Sequence, residues 1–253
     1  MSYSVLFCES PVARLDTLAP IVRQVCGIPD YDARAKIRRG WGFLERDVTR
    51  EEAERLAGAI AGCVAVENLR QPPDPRVMKG MEFTDTGIVP DGAKLIDWAD
   101  LRIVAACAIS EEIVRREAGG KETSTGEMLI GLGVFMATGI PPGLFGGKKV
   151  EKQAVKAKRW LTFGRLVTRQ GEQFAFSLDH FNFAGLGDKK QLQAIANFRV
   201  FIAELQQRSP ARLNYGAQLM LANQAVSLAN YTSLMDFETE LLWLFNVQAT
   251  GAS

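Results

Sequence analysis

The fold is decided by residues 3–69, which read YSVLFCESPVARLDTLAPIVRQVCGIPDYDARAKIRRGWGFLERDVTREEAERLAGAIAGCVAVENL. Residues 3–8 alternate and are rich in β-forming residues, which predicts a strand. Apolar residues then recur at three- and four-residue steps, which predicts a helix that Gly27 ends. A second helix is predicted over residues 29–39 and a second strand over residues 41–48.

The last third of this stretch contains a helix start signal. Thr49 and Glu52 form a capping box, which predicts a third helix over residues 50–61. Residues 64–69 predict a closing strand. The predicted order is therefore β-α-α-β-α-β. A module of this kind, with a small sheet and exposed helices, is suited to binding another protein.

Composition sets broad limits on the protein class. The chain has 253 residues, of which 47% are hydrophobic and 23% are charged, and these values are typical of a soluble globular protein with room for two domains. The formal net charge of +1 argues against general nucleic-acid binding, which requires a strongly basic face. We therefore expect no nucleic-acid partner.

The clearest predicted boundary is the proline-rich segment 71–75, which reads QPPDP. Prolines can neither continue a helix nor pair in the centre of a sheet, so the segment predicts a stiff connector. The expected domains are residues 1–70, an α+β interaction module, and residues 76–253, a β-rich α+β domain closed by C-terminal helices. The expected fold class of the whole chain is α+β.

Within residues 76–253 the pattern predicts alternating strands and helices. Short strands are expected over residues 83–109, with a hairpin turn at Asp91-Gly92. The other expected elements are a helix over residues 110–118, a hairpin around residues 170–171, and helices over residues 189–208 and 232–247.

One stretch of this second half resembles a known class of domain. Ile96, Trp98, Asp100 and Leu101 form an I-x-W-x-D-L pattern, which is similar to a strand-pair motif of bacterial pleckstrin-homology-like domains. The resemblance covers about a quarter of the second domain and implies a recognition scaffold.

The first domain resembles a different family over residues 22–69. Residues 22–27 (VRQVCG), 33–36 (ARAK) and 48–56 (VTREEAERL) are similar to a helix end, a second helix and a third helix in the C-terminal domain of the bacterial ribosomal stalk protein. The order of elements also agrees. The resemblance implies a compact α+β fold whose helical face recruits protein partners.

The same resemblance indicates which residues would bind a partner. The stalk family holds its partners with lysines on its first two helices. Here Pro20 stands where a lysine is expected, and the basic positions that remain are Arg23, Arg34 and Lys36. These three residues are the predicted protein-binding site.

A catalytic or metal site has little support in the sequence. The only histidine is His180, near Asp179 and Asn182, and neighbouring Asp and His residues on a strand point to opposite faces. The glycine-rich segment before Lys148 lacks the spacing and the Ser or Thr of a phosphate loop. We predict no metal, no cofactor and no enzymatic activity, with an enzyme site around His180 as an alternative.

Residues 128–147 carry no charge and are largely apolar. Their length suits a membrane span, but Pro141-Pro142 interrupts them. Three interpretations stay open: a buried helix ending at Gly139, a partner-docking loop, and a membrane-dipping hairpin steadied by the basic flank. The residues that would contact a partner or a membrane are Phe135, Leu144, Phe145, Lys148, Lys149 and Lys152.

The four cysteines are widely spaced and lack CxxC pairs, so free thiols in a reducing cytosol are expected. The first residues show no basic region followed by a long apolar run, so no secretory signal is expected. Taken together, the patterns predict a non-enzymatic protein-binding, adaptor or scaffold protein of the bacterial cytoplasm. A peripheral membrane protein is the alternative, and the sequence leaves the oligomeric state open.

Overall fold

A computed structural model describes residues 2–116, 154–225 and 231–249. Helices and sheets are mixed, so the predicted α+β class is confirmed. Residues 1–110 and 160–253 form one compact unit, and residues 111–159 form another. The proline-rich segment 71–75 lies within the first unit, and the division of the chain into domains there stays a prediction.

Residues 3–67 have the β-α-α-β-α-β order. The elements are β1 (Tyr3–Phe7), α1 (Leu15–Cys26), α2 (Asp30–Arg39), β2 (Phe43–Val48), α3 (Arg50–Ala59) and β3 (Cys63–Glu67). The strands form an antiparallel sheet in the order β2-β1-β3. Gly27 ends α1 with φ 66°, and the Thr49 hydroxyl accepts a hydrogen bond from the Glu52 amide, as the sequence predicts.

Both faces of this sheet are covered, because side chains alternate along a strand. Val5 and Phe7 pack against the three helices, in a core that includes Leu18, Ile37 and Leu56. Leu6 and Phe43 face the other way and belong to the larger core that the rest of the chain supplies. Strand β1 is therefore buried on both sides.

The remaining strands of the described residues form two further sheets. They are β4 (Arg76–Val77), β5 (Met81–Phe83), β6 (Gly87–Pro90), β7 (Ile96–Asp97), β8 (Leu101–Arg116), β9 (Ala154–Thr168), β10 (Gln173–Ser177) and β11 (Arg212–Leu213). The five-stranded sheet has the order β11-β8-β9-β10-β4, and the three-stranded sheet has the order β5-β6-β7. The predicted hairpins at Asp91-Gly92 and around residues 170–171 are confirmed.

In the described residues after β10, three α-helices are present. They are α4 (Ala194–Arg208), α5 (Tyr215–Leu221) and α6 (Leu234–Ala249). The predicted helix over residues 189–208 begins later than expected, at Ala194, and it is preceded by a 3-10 segment, Phe183–Lys189, that is kinked at Gly187. Phe201 of α4 is 1% exposed and packs against four other phenylalanine rings. This aromatic cluster joins α4 to the sheets.

The predicted helix over residues 110–118 is wrong where the structure describes it. Strand β8 continues through these positions to Arg116 and neighbours the similarly long β9. Backbone pairing with a strand far away in sequence decides the conformation here, and a local apolar pattern cannot register such pairing.

The first sheet and the segment after it are fixed to the rest of the unit by side chains. The Asn246 amide of α6 brackets the backbone of Arg70, accepting from its N–H at 2.8 Å and donating to its carbonyl at 3.0 Å. Gln173 donates to the carbonyl of Pro73. The residues around the expected connector therefore make specific hydrogen bonds to α6 and β10.

Candidate interaction site

Helices α1 and α2 form a hairpin whose inner face is buried and whose outer face meets solvent. Leu18 and Val22 of α1 and Ala33 and Ile37 of α2 lie in the core of the module. The turn between the helices depends on Gly27, because φ 66° is the left-handed region that glycine adopts without strain. The hairpin is therefore fixed by the packing of its inner face in the core.

A surface depression of about 530 Å³ lies at the turn of this hairpin. It is lined by Pro20, Arg23, Gln24, Gly27 and Ile28. Arg23 and Gln24 are exposed, and a Cβ atom built on Gly27 would meet nothing within 4 Å. The depression is therefore open to a side chain from another molecule.

Of the three predicted binding residues, two already have partners within the module. The Arg34 guanidinium contacts Asp16 at 2.7 Å and Asp30 at 2.8 Å, which raises its pKa through these hydrogen bonds. Lys36 forms an ion pair with Glu45 of β2. These pairs hold α2 against α1 and the sheet, and their charges are locally balanced.

Arg23 differs from the other two. It is exposed, and its guanidinium has no ion pair or hydrogen bond within residues 2–116, 154–225 and 231–249. The structure places it in the lining of the depression, together with Pro20. The sequence identified Arg23 by its charge, but the depression beside it was not predicted.

Helix α2 also exposes side chains that were not among the predicted binding residues. Tyr31 in the first turn of α2 is 76% exposed, three residues after Ile28. Arg38 and Arg39 are exposed in the last turn. A tyrosine at a helix start just after a glycine turn is a signal that could have indicated Tyr31.

The alternative enzyme site is on an exposed turn. His180 and Asp179 are both exposed in the turn after β10, where the His180 N–H donates to the Ser177 carbonyl at 3.2 Å. The Asn182 side chain accepts from the Ala184 N–H at 3.0 Å and caps the following 3-10 helix. These side chains therefore line the surface, and Asn182 has a structural role.

A second cluster of polar groups is buried and closed. Glu240 of α6 accepts hydrogen bonds from the Tyr215 N–H at 2.8 Å, from Asn214 Nδ2 at 3.1 Å and from the Tyr231 hydroxyl. Asn214 also pairs with the backbone of Ala106 through both its amide atoms. The cluster joins β8, α5 and α6.

Burial shifts the pKa values of the ionisable groups in this cluster. Burial raises the pKa of Glu240, although its three hydrogen bonds oppose that shift. Burial and the neighbouring Glu240 carboxylate raise the pKa of Tyr231 well above its ordinary value. Because every partner belongs to the chain itself, we interpret the cluster as a structural anchor.

Burial also raises the pKa values of the cysteine thiols. The four cysteines are free, and Cys107 is buried. Burial raises the pKa of Cys63 to about 12 and also raises that of Cys8 and Cys26. A thiol with a raised pKa is a poor nucleophile at neutral pH.

In the described part of the chain, no group of three or more His, Cys, Asp or Glu side chains is arranged to hold a metal ion. Among the same residues, no helix combines the length and the apolar character needed to cross a bilayer. The predicted contact residues Phe135, Leu144, Phe145, Lys148, Lys149 and Lys152 lie outside the described residues.

Comparisons with protein-family models, with curated proteins and with solved structures found no match. The resemblances to the ribosomal stalk domain and to pleckstrin-homology-like domains stay predictions.

Proposed function

We propose that this chain is a non-enzymatic adaptor or scaffold protein of the bacterial cytoplasm, and that its α1–α2 hairpin binds an acidic segment of another protein. One observation carries the proposal. Arg23 is an exposed cation without a partner in the described structure, and it stands beside an open depression of about 530 Å³.

The lining of the depression indicates the chemistry of the partner. Pro20 and Ile28 offer apolar surface, Gln24 offers an amide, and Arg23 offers a planar guanidinium that can hold a carboxylate through two hydrogen bonds. A partner segment with one apolar side chain next to an Asp or Glu matches the apolar surface and the guanidinium. Arginine is among the residues that most often dominate binding energy at protein interfaces.

The rest of the hairpin supports the same partner class. Exposed Arg38 and Arg39 add positive charge to α2, which favours the approach of an acidic surface. The ion pairs of Arg34 and Lys36 hold the helices in place. A surface that is already ordered before binding avoids part of the entropic cost of association.

Photocrosslinking in cells tests the proposal. A photoreactive amino acid replaces Gln24 in the full chain, and the matched control replaces Glu51, an exposed residue of α3. We expect an adduct with another polypeptide from position 24, with the crosslink in an acidic segment, and none from position 51. No adduct at position 24, or equal adducts at both positions, would contradict the proposal.

A further inference from the structure

Strand β3 is an edge of the first sheet, since within the described residues it pairs only with β1. Its register identifies which backbone groups are used. The Cys8 N–H donates to the Gly62 carbonyl at 2.7 Å, and the Asn68 N–H donates to the Ser2 carbonyl at 3.0 Å. Hydrogen-bonded and non-hydrogen-bonded pairs alternate in an antiparallel ladder. The backbone N–H and carbonyl groups of the even-numbered residues of β3 therefore point toward β1.

The backbone N–H and carbonyl groups of the odd-numbered residues of β3 therefore point away from β1, at the open edge of the sheet. Ala65 and Glu67 each direct an N–H and a carbonyl outward, and no partner for these groups exists among the described residues. Cys63 directs its carbonyl outward, while its N–H donates to the Ile60 carbonyl at 3.1 Å. Unpaired groups in a row are a template for another strand.

The opposite edge of the sheet is less suitable. The pairing of β2 with β1 shifts register between Tyr3 and Val5 and again between Val5 and Leu6. Asp47 of β2 has φ 55°, which turns the backbone out of the extended conformation. Such irregularities block strand addition. The β1–β3 pairing is regular over all five residues of β3.

We propose that β3 pairs antiparallel with β3 of a second copy of this chain, with the two-fold axis at Ala65. In this register Ala65 faces Ala65 of the second copy, and each Cys63 faces a Glu67. Each copy donates from the N–H groups of Ala65 and Glu67 to the carbonyls of Ala65 and Cys63 in the other. The two sheets become one sheet of six strands.

The side chains of β3 fit this symmetric pairing. Residues 63–67 read CVAVE, which is symmetric around Ala65 in its apolar positions. Each Val64 faces a Val66, and β-branched cross-strand pairs stabilise a sheet. The single charge, Glu67, faces a cysteine, so no like charges oppose each other. Closed two-fold dimers are the commonest assemblies of soluble proteins.

Proline substitutions test this pairing with little effect on the fold. Ala65→Pro removes an N–H that points outward, so the hydrogen bonds between β1 and β3 remain, and proline is tolerated at such edge positions. Glu67→Pro does the same at an exposed residue. Gly58→Ala, in the exposed part of α3, is the matched control, and circular dichroism checks each fold.

Sedimentation equilibrium of the full chain measures the result. We expect a reversible dimer for the wild type and for Gly58→Ala, and association at least tenfold weaker for both proline variants. A wild-type chain that is monomeric at all concentrations would overturn the proposal, and so would a dimer that both folded proline variants retain. Neither result depends on the α1–α2 hairpin or its partner.

Amide hydrogen exchange of the wild type gives a second readout. It needs no substitution, so a misfolded variant cannot affect the result. Protection of the Ala65 and Glu67 amides should rise with protein concentration, whereas the Val64 and Val66 amides, bonded to β1, should be protected at every concentration. Concentration-independent exchange at Ala65 and Glu67 would overturn the proposal. So would protection that appears only when a different polypeptide is added.

Discussion

The Trp243 indole N–H of α6 donates to the Phe7 carbonyl of β1 at 2.7 Å. The same ring lies over Gly42, where a Cβ atom would be 2.0 Å from Trp243 Cδ2. Helix α6 therefore covers the face of the first sheet that α1, α2 and α3 do not cover. The outer faces of the helices and the edges of the sheet are what the module offers to another molecule.

The contact between Gly42 and Trp243 predicts a strong effect of Gly42→Ala. Gly42 has φ 92°, a conformation that an alanine adopts only with strain, and the added methyl would overlap the indole. We expect a loss of roughly 2–5 kcal/mol in the free energy of unfolding. Urea denaturation followed by tryptophan fluorescence measures the shift in midpoint.

Gly58→Ala is the control for this prediction. Gly58 lies in α3 with nothing within 4 Å of a built Cβ, so alanine should stabilise the helix by about 0.5–1 kcal/mol. If Gly42→Ala is as harmless as Gly58→Ala, the packing of Trp243 on the sheet is wrong.

The buried carboxyl of Glu240 predicts a dependence of stability on pH. Burial raises its pKa above the ordinary value of 4.5, so the folded protein keeps the proton at a pH where the unfolded chain releases it. Its contribution to stability is therefore full below 4.5 and is lost as the pH rises from there through the raised folded pKa.

Glu240→Gln removes this titration while keeping the shape of the side chain. The free energy of unfolding of the wild type, minus that of the variant, should fall as the pH rises from 4.5 and then become constant. Urea titrations of both proteins across this range provide the comparison. A difference that grows with pH would mean that the folded protein favours the ionised carboxylate.

The ion pairs of α2 predict that charge reversal acts differently at two of the expected binding residues. Arg34→Glu places a third carboxylate beside Asp16 and Asp30, so we expect a lower melting temperature. Arg23→Glu meets no charged side-chain partner in the described structure and faces only the carbonyl end of α1, so its melting temperature should fall less than that of Arg34→Glu. Calorimetry at low and high salt tests this, because salt screens the repulsion in Arg34→Glu.

Much of the first module could be predicted from sequence because its signals are local. Gly27 and the Thr49 N-cap determine where α1 ends and α3 begins, and the apolar steps between them determine the buried faces. The short helix α5 was missed, because its start depends on the Asn214 side chain accepting from the Ala217 N–H within a buried cluster. A seven-residue helix offers too little periodicity to detect.

The candidate site was only partly predictable for a similar reason. A sequence shows that Arg23, Arg34 and Lys36 are basic, but not that Asp16, Asp30 and Glu45 neutralise two of them. Ion pairs between elements depend on tertiary structure. The open edge of β3 likewise becomes visible only when the strand order is known.

The most direct test of the central claim is the affinity of the full chain for the polypeptide that crosslinks at position 24. Arg23→Glu should weaken binding at least tenfold, about 1.4 kcal/mol, because the partner's carboxylate then meets a like charge. Arg50→Glu reverses an exposed charge on α3 and should change the affinity less than twofold. If Arg23→Glu binds as tightly as Arg50→Glu, the α1–α2 hairpin is not the binding site.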